Sequence, residues 1–326
     1  MTWNEPFSIQ HLKLRNRIVL PPMATETSSH SGSITATVLE YYRKMSLTGV
    51  GLVIMEHNYI HPLGRFSPNQ MSIHSDNDIS FHRELTVTIH NHSTPVICQI
   101  SHAGSNRLPA VSTESIGPSA VVHPVSGMIP RACSRSDIEE IKNAFCQAAI
   151  RVQLAGYDGV EIHAAHGYLL SQFLSPLTNQ RVDEYGGRWE NRVRLLLEIL
   201  AEIRSHVGRD FPVFVRVGVS DTIPSAPKAI GLTVEEASKM IQLLQEADCI
   251  DISGGMCGSR PSGCSGEGYF LPFAKKIRVS TSKPLLVTGG FVNLSTVNGV
   301  LEQHLVDLVG VGRSIAHNPN WLKEQS

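Results

Sequence analysis

Two histidines and a tyrosine lie within six positions of one another, directly after a segment that has the pattern of a buried strand. Residues 160–176 read VEIHAAHGYLLSQFLSP, and the three are His163, His166 and Tyr168. Imidazole N–H groups can donate hydrogen bonds to a substrate oxygen, and a phenol can deliver a proton. H-x-x-H also occurs in zinc sites, but the helix and third ligand usual there are missing, and buried structural histidines are a further alternative. The spacing favours acid–base chemistry.

Other polar residues lie at the ends of apolar runs. They are Glu56, His57, Gln99, Glu161, Arg216, Asp251, Ser253, Thr288 and Arg313. A polar residue inside a fully covered strand is costly unless it is paired or used. A satisfied network, such as Glu161 with Arg216 on the neighbouring strand, would explain some of them. Their concentration at one end of the strands indicates a site there.

Eight short β-branched runs predict the strands that carry these residues. They cover 17–22, 50–56, 95–100, 158–163, 212–217, 248–253, 284–289 and 306–311. Helical periodicity lies between them, most clearly over 134–156, where Ser136 is the predicted N-cap and Gly156 the predicted end. Eight alternating strand and helix units predict an α/β fold, a (β/α)8 TIM barrel forming a single domain over 1–326 with long strand-to-helix loops.

Strand alternation and two glycine turns place the candidate site further. Glu161 and His163 share one strand face, and the apolar Val160 and Ile162 take the other, which should face the helices. The turns TGGF (288–291) and GVGRS (310–314) follow the seventh and eighth strands. In this fold those two loops commonly bind a phosphate through bare backbone N–H groups.

Composition excludes several partners. The 326 residues are 41% apolar, and 28 Lys+Arg against 29 Asp+Glu give a net charge of −1. We therefore expect no nucleic-acid partner and, without a long uncharged apolar run, no membrane segment. The six cysteines form no C-x-x-C pair, and no histidine lies near Cys257 and Cys264 in the sequence, so we expect reduced thiols and no metal site. The first residues contain no apolar run behind a basic start, so we expect a cytoplasmic location.

Several segments together resemble a known family. EIHAAHGYLLSQFLSPLTNQRVDEYGGRWENR (161–192), NRIVLPPM (16–23), QISHAG (99–104), VRVGVSD (215–221) and GVGRS are similar to the old yellow enzyme family of FMN-dependent ene-reductases. The likeness is strongest to the branch with two substrate-binding histidines, which includes the barrel domains of 2,4-dienoyl-CoA and 2-enoate reductases. The resemblance implies tightly bound, non-covalent FMN, NADH or NADPH as electron donor, and a homo-oligomer.

The resemblance also implies roles for individual residues. Those implied to bind the cofactor are Pro22, Met23, Ala24, His57, Gln99, Arg216, Gly289, Gly290, Gly312 and Arg313. His163 and His166 would bind the carbonyl oxygen of a small-molecule substrate, and Tyr168 would be the proton donor. Ala24 stands where the family usually has Thr or Cys, Glu26 where close relatives have a substrate-facing tyrosine, and His57 where the residue is usually small.

The implied activity is an NAD(P)H-dependent flavin oxidoreductase that transfers hydride from flavin N5 to the β-carbon of an alkene conjugated to a carbonyl or thioester. Two alternatives remain at this point. One is an FMN-containing isomerase of C=C bonds without net redox change. The other is a flavin-free barrel lyase that binds a phosphorylated substrate in the glycine turns.

Overall fold

A computed structural model of the chain describes residues 1–112, 114–222, 231–261 and 263–325. Its strands are β1 (Phe7–Ile9), β2 (Leu12–Leu14), β3 (Ile18–Leu20), β4 (Leu52–Tyr59), β5 (Val96–Ser101), β6 (Ile116–Gly117), β7 (Arg131–Ala132), β8 (Gly159–Ala164), β9 (Val213–Gly218), β10 (Cys249–Ser253), β11 (Leu285–Thr288) and β12 (Leu308–Gly310). Eight of them close a parallel barrel in the order β3-β4-β5-β8-β9-β10-β11-β12. The predicted TIM barrel is confirmed, and each predicted strand overlaps an observed one.

The amino-terminal mouth of the barrel is closed by a hairpin that the strand pattern did not predict. β1 and β2 pair antiparallel. Ile9, Leu12 and Leu14 are at most 4% exposed and pack in one cluster with inward-facing strand residues such as Phe214 and Leu286. The apolar alternation of this short segment is thus used to cover the floor of the barrel.

The barrel interior changes from apolar to polar along the strands. Its lower layers are filled by residues such as Leu52, Ile97 and Leu308. Val160 and Ile162 pack in the other cluster, with the helices, as predicted. The alternation therefore turns Glu161 and His163, at the next level, toward the barrel axis at the carboxyl end of β8.

The helices are α1 (Ala36–Ser46), α2 (Asp78–His90), α3 (Arg135–Leu154), α4 (Leu169–Leu174), α5 (Trp189–Arg192), α6 (Arg194–Val207), α7 (Val234–Leu243), α8 (Leu271–Arg278), α9 (Leu294–Glu302), α10 (Arg313–His317) and α11 (Trp321–Gln325). The N-cap of α3 is Ser134 and not the predicted Ser136, because Ser134 forms a reciprocal capping box with Asp137. Gly156 follows its end with φ 86°, as a C-terminal glycine should. Within the described ranges, no helix combines the length and apolar character that a membrane span requires.

Candidate active site

Five rings meet where β4 and β8 end. The ring centroids of His163 and His166 lie 4.8 Å apart, and Tyr168 lies 4.8 Å from His163. His57 lies 5.4 Å and Phe66 5.5 Å from the ring of Tyr168. The turn after β8 thus brings together the three residues that the sequence placed within six positions, and β4 adds His57.

The position of the proton on His163 follows from its contacts. The backbone N–H of Ala165 donates to His163 Nδ1 at 3.2 Å. Burial lowers the pKa of His163 well below its ordinary value, and His166 and Arg216 lower it further. The ring is therefore neutral at physiological pH, and because Nδ1 accepts, we assign the ring proton to Nε2.

His166 is held by its backbone and by one serine. Its φ of 58° lies in the left-handed region, which non-glycine residues rarely adopt. Its N–H donates to the carbonyl of Gly254 at 2.9 Å, and its own carbonyl accepts from Asn106 at 2.8 Å. The ring Nε2 lies 2.7 Å from Ser253 Oγ.

Ser253 connects this ring to the arginine at the end of β9. Arg216 Nη2 donates to Ser253 Oγ at 3.5 Å. Because the guanidinium can only donate, the serine proton is free to point at His166 Nε2, which assigns the proton of the neutral ring to Nδ1. Burial lowers the pKa of His166 well below its ordinary value, which keeps the ring neutral. Both histidines are then single N–H donors.

Tyr168 keeps its proton. Burial raises the pKa of its phenol well above the ordinary value, and the negative charge of Glu26 raises it further. Glu26 is exposed, has φ 54°, and accepts a hydrogen bond from Ser67 at 2.5 Å through Oε2. The carboxylate predicted to face the substrate is thus close enough to act on the phenol.

His57 is also a neutral ring. Gln70 Nε2 donates to its Nδ1 at 2.8 Å, and the side chain is 8% exposed. Burial, with a smaller contribution from Arg216, lowers the pKa of His57 to about 4. The ring lies in the group around Tyr168 and adds no charge to it at neutral pH.

Glu56 has a structural role. It is one of the buried polar residues that a satisfied hydrogen-bond network explains. Its Oε2 accepts from the Thr25 N–H at 2.7 Å, and Tyr42 donates its hydroxyl to Oε1 at 3.3 Å. Burial raises the pKa of Glu56 to about 7. The contact to Thr25 holds the loop after β3, which carries Met23 and Ala24.

A cavity of about 750 Å³ lies at the carboxyl ends of the strands. Most of the predicted cofactor contacts line it: Pro22, Met23, Ala24, Arg216, Gly290, Gly312 and Arg313. Gln99, His57 and Gly289 lie outside its lining, and the Gly289 carbonyl accepts from the Gly268 N–H at 2.6 Å. The structure therefore gathers the loop after β3, the arginine of β9 and both glycine turns around one space.

The cavity fits the FMN that the resemblance implies. A Cβ on Gly312 would lie 2.7 Å from Met23 Sδ, so a side chain there would crowd the wall of the cavity. Thr288 Oγ1 is buried and has no partner within the described residues. Arg216 and Arg313 offer two guanidinium groups to an anionic ligand. No group of three or more His, Cys, Asp or Glu side chains suited to a metal ion occurs in the described part of the chain.

A buried polar network supports Arg216 and Gln99. The sequence suggested a pair between Glu161 and Arg216, whereas the structure pairs Arg216 Nε with Asp251 Oδ2 at 3.2 Å. The register explains the correction, because Asp251 lies directly opposite Arg216, and Glu161 lies opposite Phe214. Glu161 Oε1 instead accepts from Gln99 Nε2 at 2.7 Å.

Three site residues had no assigned role in the sequence. Ser253 and Asp251 alternate with the apolar Ile250 and Ile252, and this period of two was the available signal that they face the barrel axis. Tyr269 gave no such signal, because it lines the cavity from a long loop whose path periodicity does not determine.

Comparisons with known proteins agree with the geometry. The model of the NADH:flavin oxidoreductase / NADH oxidase family matches residues 4–325. An NADPH dehydrogenase of Clostridium acetobutylicum is 33% identical over 98% of this chain and 92% of its own length. An NADH oxidase of Thermoanaerobacter brockii is 33% identical over 97% of this chain, which spans 49% of that longer protein.

Solved structures show the same fold. A 2-naphthoyl-CoA reductase in complex with 2-naphthoyl-CoA aligns with a TM-score of 0.92 and 25% identity over 99% of this chain and 52% of its own. An old yellow enzyme homologue from Zymomonas mobilis aligns with a TM-score of 0.85 and 26% identity over 99% of this chain and 92% of its own. The chain therefore belongs to the old yellow enzyme family of NAD(P)H-dependent flavin oxidoreductases, whose cofactor is FMN.

Proposed function

We propose that this chain, as one FMN-binding barrel domain, reduces the carbon–carbon double bond of a small molecule in which that bond is conjugated to a carbonyl or thioester. The observation that carries the proposal is the pair of neutral histidine rings, 4.8 Å apart, each held through one nitrogen by the chain itself. A carbonyl oxygen of the substrate would accept a hydrogen bond from the N–H group of each ring.

His163 and His166 bind and polarise in this proposal. Two N–H donors on one carbonyl oxygen stabilise the negative charge that develops there when a nucleophile adds to the β-carbon. Their low pKa values keep them as neutral donors across the physiological range, so they neither titrate nor take up the proton of the reaction. The clamp is thus oriented before the substrate arrives.

Tyr168 supplies the proton to the α-carbon. Its phenol stays protonated because burial raises its pKa, and its ring is adjacent to His163. The charge of Glu26 makes loss of that proton still less favourable, so the phenol gives it up only to a strong base, such as a carbanion-like carbon. The phenol therefore functions as the acid only when charge develops on the substrate.

The cofactor would be held by Pro22, Met23, Ala24, Gln99 and Arg216 along its ring and by Gly289, Gly290, Gly312 and Arg313 at its phosphate. When bound, FMN would supply the hydride chemistry that links NADH or NADPH to the alkene. Arg216 and Arg313 both line the cavity, so in this assignment Arg216 would put a positive charge beside the ring and Arg313 one beside the phosphate.

The test is an absorbance experiment on the purified protein. We expect a yellow protein that NADH or NADPH bleaches anaerobically and that 2-cyclohexenone or an enoyl thioester then restores. Failure of both nicotinamides to bleach the flavin would rule the proposal out. Conversion of an alkene isomer without nicotinamide consumption would point instead to the non-redox isomerase.

A cytoplasmic location and a homo-oligomeric state are also proposals. All six cysteines are free, and four of them are buried, which suits a reducing compartment. Size-exclusion chromatography with light scattering tests the oligomeric state directly.

A further inference from the structure

Two acids and one base are buried together on three adjacent strands. Glu161 on β8 and Asp251 on β10 are 0% exposed, and Arg216 on β9, between them, is 4% exposed. If all three were ionised, one negative charge would remain uncompensated inside the barrel. A buried charge without a counter-ion is strongly unfavourable, and such a group usually changes its protonation state instead.

The contacts are unequal between the two acids. Asp251 has the arginine as its counter-ion, with Oδ2 at 3.2 Å from Arg216 Nε, although neither of its oxygens accepts a hydrogen bond within the described residues. Glu161 has only the neutral amide of Gln99, which donates to Oε1, and its Oε2 has no partner within the described residues. Free oxygens do not separate the two acids, but the ion-pair contact does: Glu161 has none to Arg216, so it is the member of the pair that should hold a proton.

No second positive charge reaches the pair from the surrounding elements that the structure describes. β8 itself contributes His163, which is neutral, and β5 contributes Gln99. β10 also contributes Cys249, whose thiol pKa is raised well above its ordinary value by burial. Burial raises the pKa of Glu161 as well, the negative charge of Asp251 raises it further, and the smaller opposing effects of Arg216 and of the Gln99 hydrogen bond leave it raised.

We propose that Glu161 and Asp251 share a single proton across Arg216, and that Glu161 carries it at neutral pH as a positioning residue for Gln99 and Arg216. The inference rests on the proposed function only in that FMN occupies the cavity beside Arg216. With Glu161 protonated, the positive charge of Arg216 is balanced by one carboxylate, that of Asp251, and not by two. Glu161 Oε1 can still accept from Gln99 Nε2, which leaves Gln99 Oε1 free to accept.

A functional consequence concerns the charge beside the cofactor. Arg216 lines the cavity, so negative charge that develops there on reduction lies next to a guanidinium with one counter-ion. Loss of the proton from Glu161 would add a second, unfavourable negative charge. The reduction potential of bound FMN should therefore fall once Glu161 ionises.

The experiment is to measure the midpoint potential of bound FMN between about pH 6 and pH 9 in the wild-type holoenzyme and in Glu161→Gln. The amide mimics the protonated carboxyl. We expect the two potentials to coincide near pH 6 and the wild-type potential to become the lower one as the pH rises. The opposite result would be a potential that is higher in Glu161→Gln than in the wild type by the same amount at about pH 6 and about pH 9. It would mean that Glu161 is ionised throughout, and it would overturn the proposal.

Asp251→Asn is the matched variant, since it makes the same change on the other side of Arg216. With Asp251 neutral, Glu161 becomes the counter-ion of Arg216. The potential of Asp251→Asn should therefore not fall below that of Glu161→Gln as the pH rises. A divergence that persists in Asp251→Asn would contradict a shared proton. The potentials are measured without an alkene, so a failure of alkene reduction would leave this test intact.

A measurement on chains with an unaltered pair covers the case in which Glu161→Gln does not fold. We expect the infrared difference spectrum between oxidised and reduced holoenzyme to contain a carboxylic-acid C=O band that shifts in D₂O. The same band should persist in Glu56→Gln, which removes the other buried acid whose pKa is raised to about 7. Absence of the band, or its loss in Glu56→Gln, would overturn the assignment.

Discussion

Single hydrogen bonds decide the chemistry of the ring cluster. Ala165 N–H and Ser253 Oγ each occupy one nitrogen of a histidine, at 3.2 and 2.7 Å. The sequence predicted that His163 and His166 would meet, because a strand end and a three-residue step place them together. It could not predict which nitrogen donates, since Ser253 is 87 residues away from His166.

Replacement of Tyr168 by Phe tests the proton donor. We expect reduction of the flavin by NAD(P)H to stay within about twofold, and the alkene-dependent reoxidation to slow by roughly 10²- to 10⁴-fold, because general acid catalysis is lost. Stopped-flow absorbance resolves the two half-reactions. Tyr185→Phe is the control, since that hydroxyl belongs to a buried tyrosine and donates to Glu198 at 2.9 Å. Equal reoxidation rates in both variants would assign the proton to another group.

The strands and the hairpin differ in how far the sequence determines them. Eight β-branched runs predicted the barrel strands because both faces of each are covered. The hairpin was missed because β1 and β2 are three residues long and their apolar alternation resembles any surface segment. The N-cap of α3 was misplaced by two residues, since Ser134 and Ser136 are equivalent until Asp137 closes a capping box with Ser134.

Truncation of the barrel floor should reduce stability without changing the site. Leu12 is 3% exposed and packs against the apolar interior. We expect Leu12→Ala to lower the free energy of unfolding by about 2–5 kcal/mol through the cavity it leaves. Urea unfolding measures the loss, and the absorbance spectrum of bound flavin should be unchanged. Leu47→Ala, at a position 48% exposed, is the control, and an equal effect in both would show that the hairpin does not close the core.

Across the whole molecule, the cavity gathers segments that are almost 300 residues apart in sequence. Pro22 and Met23 follow β3, and Arg313 follows β12, which pairs with β3 to close the barrel. This closure is what the alternation of strands and helices predicted. The pairing of Arg216 with Asp251 was not predictable, because strand register depends on packing that the sequence pattern does not contain.

Ligand binding to such a cavity should stabilise the entire chain. FMN at about 100 times its dissociation constant adds about 2.7 kcal/mol to the free energy of unfolding, which raises the Tm by several degrees for a domain of this size. Riboflavin lacks the phosphate and should stabilise less. In Arg313→Ala the difference between FMN and riboflavin should shrink. Equal shifts for both ligands in the wild type would exclude a phosphate site at the glycine turns.

The closed floor has a kinetic consequence. Ile9, Leu12 and Leu14 cover one mouth of the barrel, and the cavity lies at the other. In the proposed reaction, the nicotinamide and the alkene must therefore use the same chamber in turn. Each then occupies the form of the enzyme that the other needs, so an excess of either slows turnover by mutual exclusion. Because one end of the barrel is covered, the two substrates must enter and leave through the other end, one after the other.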